Sequence, residues 1–307
     1  MATGITKGRS FASEDGPYQL PNDTAEHERL DAQYRAFAEV MGGKVFHAPA
    51  ADGFPSRPRK ILDIGCGTGI FTAQLARLFP SAEVIGVDLS PVPAGRHGDA
   101  PNARFLLGSV ADLLGRGDLA AGSFDYVFER LTILGIVGWE AHLRDVVAPL
   151  LAPGGVVELQ EYDSMPRAGG DGCAGAAYET ELGDRWEWFR AWIEDTRDIG
   201  LDLRVGRRMP ELLASAGIDA VARDVYDIPN AGPPSLRGEA AGGGGGEEYW
   251  RTVVDTYWGV VERNSGPRRS PEALAAMRKS YDETFVANIA DLVVRLHVVV
   301  GRKPTAA

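Results

Sequence analysis

A glycine-rich turn between a predicted strand and a predicted helix is the segment best suited to bind a ligand. The predicted strand Lys60–Ile64 is followed by the sequence GCGTG at positions 65 to 69, and then by apolar residues at helical spacing up to Phe79. Glycines let the backbone turn sharply and approach a ligand closely. The first N–H groups of a helix carry partial positive charge and attract an anion. These features predict an anion-binding turn.

Two acidic residues accompany this turn. Asp63 stands just ahead of it, and Asp88 ends the next predicted strand, about twenty residues farther along. A carboxylate at that second place can accept hydrogen bonds from both hydroxyls of a ribose. We therefore expect a nucleoside cofactor. The glycine spacing G-x-G-x-G differs from the G-x-G-x-x-G of dinucleotide enzymes, so an NAD-dependent oxidoreductase is the weaker alternative.

The elements that position the turn alternate between strands and helices. Apolar runs without polar alternation predict five strands, which is typical of a parallel sheet covered by helices on both faces. These strands are expected at residues 60–64, 83–88, 104–107, 124–128 and 155–159. Helical spacing is found ahead of the first strand, at 24–41, and between the fourth and fifth, at 139–151. The sequence therefore predicts a doubly wound α/β fold.

The pattern changes after residue 161. Helices are expected at 179–199, 209–217, 247–264 and 271–289, and two more strands at 220–228 and 292–301. We expect a flexible tail over residues 1–22 and a mobile glycine run at 242–246. The prediction is one domain over 23–304, with core segments 58–162, 218–230 and 291–304 and helical lid segments 175–217 and 232–290.

Composition argues against several classes of function. The 307 residues carry a net charge of −11, which repels a polyanion, so nucleic acid is not expected as a partner. The two cysteines lack C-x-x-C spacing and the five histidines form no H-x-x-x-H pair, so no metal site is expected. No membrane span or signal segment is recognisable. We expect a cytoplasmic protein, with a nuclear location as the alternative.

The order acid-x-Gly-x-Gly-x-Gly resembles the first motif of the class I S-adenosylmethionine-dependent methyltransferases, and LLAPGG at 150–155 resembles the family's loop before strand five. The stretches GGKVFHAP at 42–49, DLSP at 88–91, VELQE at 157–161 and GRKP at 301–304 are similar to the LaeA-like fungal members. The resemblance implies a Rossmann-like sheet of six parallel strands and an antiparallel seventh at 292–301, with a helical lid inserted before the seventh.

The resemblance also implies S-adenosylmethionine as the cofactor and S-adenosylhomocysteine as its product. In the family the first acid and the turn meet the methionine part, the second acid holds the ribose, and residues after strand three meet the adenine. Ser109 stands where the family has an acid there, and Asp112 is the candidate replacement. The implied cofactor-binding residues are Asp63, Gly65, Cys66, Gly67, Gly69, Asp88, Leu89, Ser109, Val110, Asp112, Glu129 and Arg130.

Methyl transfer from a sulfonium depends mainly on alignment of the nucleophile, and a base is needed only for a weakly acidic hydroxyl or a protonated amine. Side chains that follow strands four and five face the cleft of an open α/β sheet. Arg130 could pair there with a carboxylate, a surface ion pair being the alternative. The candidates for acid–base contact with the acceptor are His47, His97, Glu161 and Tyr162, with loop or packing roles as the alternative.

Aromatic residues are frequent in the predicted lid segments, and they could either pack in the core or line the pocket for the methyl acceptor. These residues are Trp186, Trp188, Phe189, Trp192, Tyr249, Trp250, Tyr257 and Trp258. We expect a partly aromatic pocket for a small organic molecule, O-methylated as part of fungal secondary metabolism, in a monomer or homodimer.

Two further hypotheses remain open on the same fold. A LaeA-like regulator in a nuclear protein complex would keep the cofactor site and use a partner surface. A cyclase or rearrangement enzyme would use the sulfonium as a fixed charge. Addition of one methyl group to a small molecule, with release of S-adenosylhomocysteine, distinguishes the methyltransferase from both.

Overall fold

The computed structural model describes residues 4–6, 9–11, 22–96, 98, 100–168, 180–232 and 245–305, with side chains described from residue 22 onward except over 245–250. Most of the predicted tail at 1–22 and much of the glycine run fall outside these ranges, although Gly4–Thr6 and Arg9–Phe11 pair as short antiparallel strands. The side chains of His97, Tyr249 and Trp250 also fall outside, as does that of Cys173, one of the two cysteines.

The central sheet has seven strands along its main path, and a short eighth strand, Thr180–Glu181, pairs off this path. The seven are β1 (Lys60–Ile64), β2 (Glu83–Asp88), β3 (Ala103–Leu107), β4 (Phe124–Arg130), β5 (Leu151–Ala168), β6 (Asp219–Pro229) and β7 (Leu292–Arg302). Their order is β3-β2-β1-β4-β5-β7-β6, and β7 is antiparallel to both of its neighbours. The other pairings of β1 to β5 along this path are parallel. The α/β fold class expected from the sequence is confirmed.

Helices cover both faces of the sheet. They are α1 (Thr24–Val40), α2 (Ile70–Leu78), α3 (Val110–Gly115), α4 (Trp139–His142, continued by a π turn at Leu143–Val147), α5 (Glu187–Asp198), α6 (Met209–Ser215), α7 (Gly245–Ser265) and α8 (Pro271–Tyr281). Residues of α1 and α2 pack on one face, while α3, α4 and α6 pack on the other. Both faces of β1 and β4 are therefore covered, which explains their continuous apolar sequences.

The region after the fourth strand differs from the sequence prediction. β5 spans Leu151–Ala168 rather than 155–159, so the sheet continues beyond residue 162, where the predicted core segment ended. Its second half is polar, but Asp163 there is buried in an ion pair with Arg204. The predicted helix at 179–199 begins only at Glu187, because Thr180–Glu181 pairs with the end of β5. Tertiary pairing thus overrides the local helical spacing.

A buried carboxylate attaches the segment after α1 to the sheet. Glu158 of β5 is fully buried and accepts hydrogen bonds from the backbone N–H groups of His47, at 2.8 Å, and Ala48, at 2.7 Å. It also accepts from the Tyr126 hydroxyl at 3.1 Å and from the Gln160 amide at 2.7 Å. These bonds fix the chain between α1 and β1, and so the position of α1 over the carboxyl ends of the strands.

Glu158→Ala is expected to lower the free energy of unfolding by about 3 kcal/mol, because it leaves several buried donors without an acceptor. Glu158→Gln keeps one acceptor oxygen and should lose less. The exposed pair of Glu140 with Arg208 provides the control, since Glu140→Ala should change stability by no more than about 0.5 kcal/mol. Urea unfolding at pH 7 measures all three. Equal losses for Glu158→Ala and Glu140→Ala would contradict the anchoring role.

Candidate functional site

The turn after β1 has no room for side chains. Gly65, Gly67 and Gly69 have φ angles of +68°, +56° and +78°, which side chains rarely tolerate. A Cβ atom on Gly65 would lie 2.7 Å from the Thr132 methyl group, and one on Gly69 would lie 2.8 Å from the Phe105 ring. The glycines are therefore required by backbone conformation and by close packing.

The acid that ends β2 is fixed against this turn. One carboxylate oxygen of Asp88 accepts from the Gly67 N–H at 2.8 Å, and the other accepts from the Ser90 N–H at 2.8 Å. Burial raises the pKa of Asp88. Each oxygen keeps a second lone pair, so the carboxylate can still accept from a diol. Cys66, between the glycines, is buried, and burial raises the pKa of its thiol, as in a packed rather than reactive cysteine.

The acid within β1, Asp63, has a pKa raised by burial into the neutral range. Asp63 is buried and accepts a 2.6 Å hydrogen bond from the Thr72 hydroxyl. Burial raises the pKa of Asp63 to about 7, against the lowering effects of Thr72 and of the positive charge on Arg130. A carboxyl in this state ionises fully when a cation arrives beside it.

Arg130, at the end of β4, lies among aromatic rings. Its guanidinium carbon is 5.0 Å from the ring centre of Tyr34, 5.4 Å from that of Phe71 and 5.4 Å from that of Phe128. Burial lowers the pKa of Arg130, and Asp63 opposes this effect. Within the described part of the chain, its Nη1 atom and the Tyr34 hydroxyl are buried without a hydrogen-bond partner. An anion at this position would satisfy both donors.

Helix α1 closes over the turn. Asp31 accepts a 2.6 Å hydrogen bond from the Thr68 hydroxyl and a 2.8 Å bond from Nε of Arg96, which follows β2. A Cβ atom on Gly67 would touch Leu30 at 3.4 Å. The sequence prediction did not place Asp31 at the site. The partners of this carboxylate, Thr68 and Arg96, are distant from it in sequence, so its local sequence does not reveal them.

The residues proposed to meet adenine follow β3. Ser109 is the N-cap of α3 and makes no side-chain capping bond. Val110 is buried beneath the start of the helix, whereas Asp112 in its first turn is exposed. Leu89 is half-buried directly after Asp88. These four therefore lie at the β2–β3 side of the turn, with Asp112 facing solvent.

A buried cluster of carboxyl groups lies beside Gly65, on the other face of the sheet from Arg130. The Thr132 hydroxyl is 2.7 Å from an oxygen of Glu129 and 2.9 Å from an oxygen of Glu161. The second oxygen of Glu129 is 2.9 Å from Nε2 of His142. Leu131 has a φ of +53°, a strained value for leucine, and it turns the chain so that Thr132 reaches both acids. Thr132 and His142 were missed because nothing in the sequence signals their contacts.

The other acid–base candidates are not brought together with Glu161. His47 bonds through Nε2 to the Tyr226 hydroxyl at 2.7 Å, near the buried carboxylate of Glu158. Tyr162 points to the opposite face from Glu161 and packs edge-on against Phe37, with ring centres 6.1 Å apart. His97 lies outside the described residues.

The aromatic rings of the lid pack on one another. Trp188 is fully buried and contacts five neighbouring rings, with centres between 4.9 and 6.2 Å away, namely those of Trp186, Phe189, Trp192, Tyr281 and Phe285. No helix in the described ranges is both long and apolar enough to cross a membrane. Over the same ranges, no group of three or more His, Cys, Asp or Glu side chains is placed to hold a metal ion.

Comparison with known proteins agrees with this geometry. A family described as a methyltransferase domain matches residues 61–155. The methyltransferase pytC of Aspergillus terreus is 34% identical over 293 residues, covering 94% of this chain and 84% of that protein. The secondary metabolism regulator laeA of Coprinopsis cinerea is 37% identical over 161 residues, covering 51% of this chain and 38% of the regulator. The chain matches only 38% to 51% of the length of the first curated relatives.

A solved structure of similar fold is that of a Haemonchus contortus phosphoethanolamine N-methyltransferase in complex with S-adenosylhomocysteine. It is 18% identical, with a TM-score of 0.45, and the match covers 93% of this chain and 62% of that one. Because a methyltransferase relative aligns over nearly the whole chain, and the matching domain contains β1 to β4, this protein belongs to the class I S-adenosylmethionine-dependent methyltransferases of the LaeA-like type.

Proposed function

We propose that this protein transfers a methyl group from S-adenosylmethionine to an oxygen of a small organic acceptor. The observation that carries the proposal is that Asp63 and Arg130 are buried beside the glycine turn, close enough for their charges to interact. Asp63 is a buried acid able to ionise, and Arg130 is a buried cation whose Nη1 has no hydrogen-bond partner among the described residues. Together they complement the ammonium and carboxylate of an amino acid, which the cofactor of this family carries next to its sulfonium.

The residues present fit that cofactor from end to end. Gly67, in the middle of the turn, has only Leu30 near its missing Cβ position, at 3.4 Å, so the backbone there is less crowded than at Gly65 and Gly69. Asp88 stands where a ribose diol would be held, with Leu89 and Ser109 beyond it toward the adenine. When bound, the cofactor supplies an electrophilic methyl group, so the protein's own task is to bind, orient and exclude water.

The side chains at the ends of β4 and β5 are the proposed acceptor contacts. Glu161 is buried beside Thr132, and burial together with the charge of Glu129 raises the pKa of Glu161 to about 8. A carboxyl with such a pKa can exchange a proton with a hydroxyl near neutral pH. Tyr162, on the other face, would serve to orient an acceptor rather than to take its proton. A weakly acidic hydroxyl and a protonated amine both need this exchange, and we propose the hydroxyl, so that oxygen is the methylated atom.

The cofactor assignment predicts a loss of affinity in Asp88→Ala. Losing the charged hydrogen bonds to the ribose should weaken binding of S-adenosylhomocysteine by about 2 kcal/mol, or roughly thirtyfold. Gly67→Val should abolish binding, because the backbone there has a φ of +56°. Asp118→Ala, at an exposed ion pair with Arg116, is the matched control and should bind as the parent does. Titration calorimetry on folded variants measures the effect, and unchanged affinity for both site variants would refute the assignment.

Arg130→Met separates the amino-acid end from the nucleoside end. It should weaken S-adenosylhomocysteine at least tenfold, since one charge-assisted hydrogen bond is lost. Binding of 5′-methylthioadenosine, which lacks the amino acid, should stay within about twofold of the parent. Arg104→Met, at an exposed pair with Glu83, serves as the control. Equal losses for both ligands would show that Arg130 only supports the fold.

The second candidate function is that of a regulator, which is supported by the similarity to laeA. Measurement of catalytic turnover distinguishes an enzyme from such a regulator. The parent protein is incubated with S-adenosylmethionine and panels of phenols, carboxylic acids and amines. We expect S-adenosylhomocysteine to accumulate with hydroxyl acceptors, whose mass rises by one methyl group. Cofactor binding without turnover on any panel, together with a protein partner recovered from cells, would favour the regulator.

A further inference from the structure

We infer that Glu129 and Glu161 hold one proton between them and thereby distinguish cationic S-adenosylmethionine from neutral S-adenosylhomocysteine. The pair lies next to the turn at Gly65 but on the opposite face of the sheet from Arg130. Its role would be to favour binding of the substrate form of the cofactor over the product form. The inference rests on the family's cofactor and does not depend on which acceptor is methylated.

The hydrogen-bond geometry requires a proton on one of the two acids. The Thr132 hydroxyl has one hydrogen, yet it lies 2.7 Å from Glu129 and 2.9 Å from Glu161. If both acids were ionised, one short contact would place a carboxylate against a lone pair of the hydroxyl. A proton on one acid resolves the conflict, because that acid donates to Thr132 while Thr132 donates to the other.

The proton belongs on Glu161. The second oxygen of Glu129 already has a hydrogen-bond partner, Nε2 of His142, at 2.9 Å. The Oε2 atom of Glu161 is buried and has no partner within the described residues. The other oxygen of Glu161, Oε1, accepts a hydrogen bond from the Thr132 N–H at 2.7 Å. Burial is the main cause that raises the pKa of Glu161 to about 8, and the charge of Glu129 adds to it.

The pair is close enough to sense charge in the turn. A Cβ atom built on Gly65 would lie 2.7 Å from the Thr132 methyl group, and the same threonine carries the hydroxyl that joins the two acids. A positive sulfonium near this turn favours the ionised form of Glu161, whereas a neutral thioether does not. Binding of the substrate form should therefore release the shared proton, and binding of the product form should leave it in place.

Other charged groups near the pair respond equally to both ligands. Asp163, next on the same face of β5, is held by Arg204 and Arg167. His297 of β7 lies across from Glu161 in the sheet, and burial lowers the pKa of His297 to about 4, so it stays neutral. Asp63 and Arg130 meet the ammonium and carboxylate, which both ligands share. The difference between the ligands therefore isolates the response to the sulfonium.

Calorimetric titration in buffers of different ionisation enthalpy tests this inference. The number of protons released is measured for S-adenosylmethionine and S-adenosylhomocysteine between pH 6 and 9, in the parent and in Glu161→Gln. Glutamine keeps the acceptor oxygen but cannot ionise. Subtracting the variant from the parent for each ligand removes the ligand's own ionisation. Between pH 7 and 8 we expect excess release with S-adenosylmethionine and none with S-adenosylhomocysteine.

The affinity for S-adenosylmethionine should therefore depend on pH through the ionisation of Glu161. The preference for S-adenosylmethionine over S-adenosylhomocysteine should grow by about tenfold from pH 6 to pH 9 in the parent, the effect of one pKa unit, relative to Glu161→Gln. In Glu129→Gln the excess release should move to lower pH, because the neighbouring charge that raises the pKa of Glu161 is gone. Glu140→Gln, an exposed acid on α4, should match the parent.

Two results would overturn the inference. Equal excess release with both ligands, or none with either, would show that the pair does not sense the sulfonium. Failure of both ligands to bind the parent would overturn the cofactor assignment and this inference with it.

Thermal unfolding checks that the Glu161→Gln variant is folded. The parent should lose stability relative to Glu161→Gln as pH rises from about 4.5 to 8, because a raised folded pKa favours the fold only while the group is protonated.

Discussion

The absence of side chains at the turn after β1 is the constraint on which the site depends. Thr132, Phe105 and Leu30 approach the turn so closely that any Cβ atom on its glycines would meet them. Each of the three comes from a different part of the chain, so the turn is where β4, β3 and α1 converge. This packing fixes the backbone of the turn, and the hydrogen bond from the Gly67 N–H holds the carboxylate of Asp88 against it.

Several buried ionisable groups around the turn are costly to the fold. Asp63, Arg130 and Glu161 are all removed from water, and none has the full set of hydrogen bonds that would offset its burial. A well-packed apolar core would be more stable at these positions. Their presence is explained if a ligand of mixed charge completes them, because an ammonium and a carboxylate would each find an opposite charge already in place and already desolvated.

Local features of the site were predictable from the sequence, and long-range ones were not. The glycine spacing, Asp63 and Asp88 follow from turn chemistry and strand ends, and the first strand was predicted with its observed bounds, Lys60–Ile64. The polar second half of β5 was missed, because its pairing with β7 depends on distant chain. His47 and Glu161 both looked like acid–base candidates, yet one bonds to Tyr226 and the other to Thr132. Nothing in their own neighbourhoods encodes that difference.

The last two residues of β4, Glu129 and Arg130, point to opposite faces of the sheet. Strand alternation sends Arg130 toward α1 and Glu129 toward α4, so adjacent residues serve opposite sides. The strained backbone at Leu131 then returns the chain to the turn, where Thr132 meets both Gly65 and the two acids. The proposed recognition of the amino acid by Arg130 and the proposed response of Glu129 and Glu161 to the sulfonium therefore use different side chains on opposite faces of the sheet.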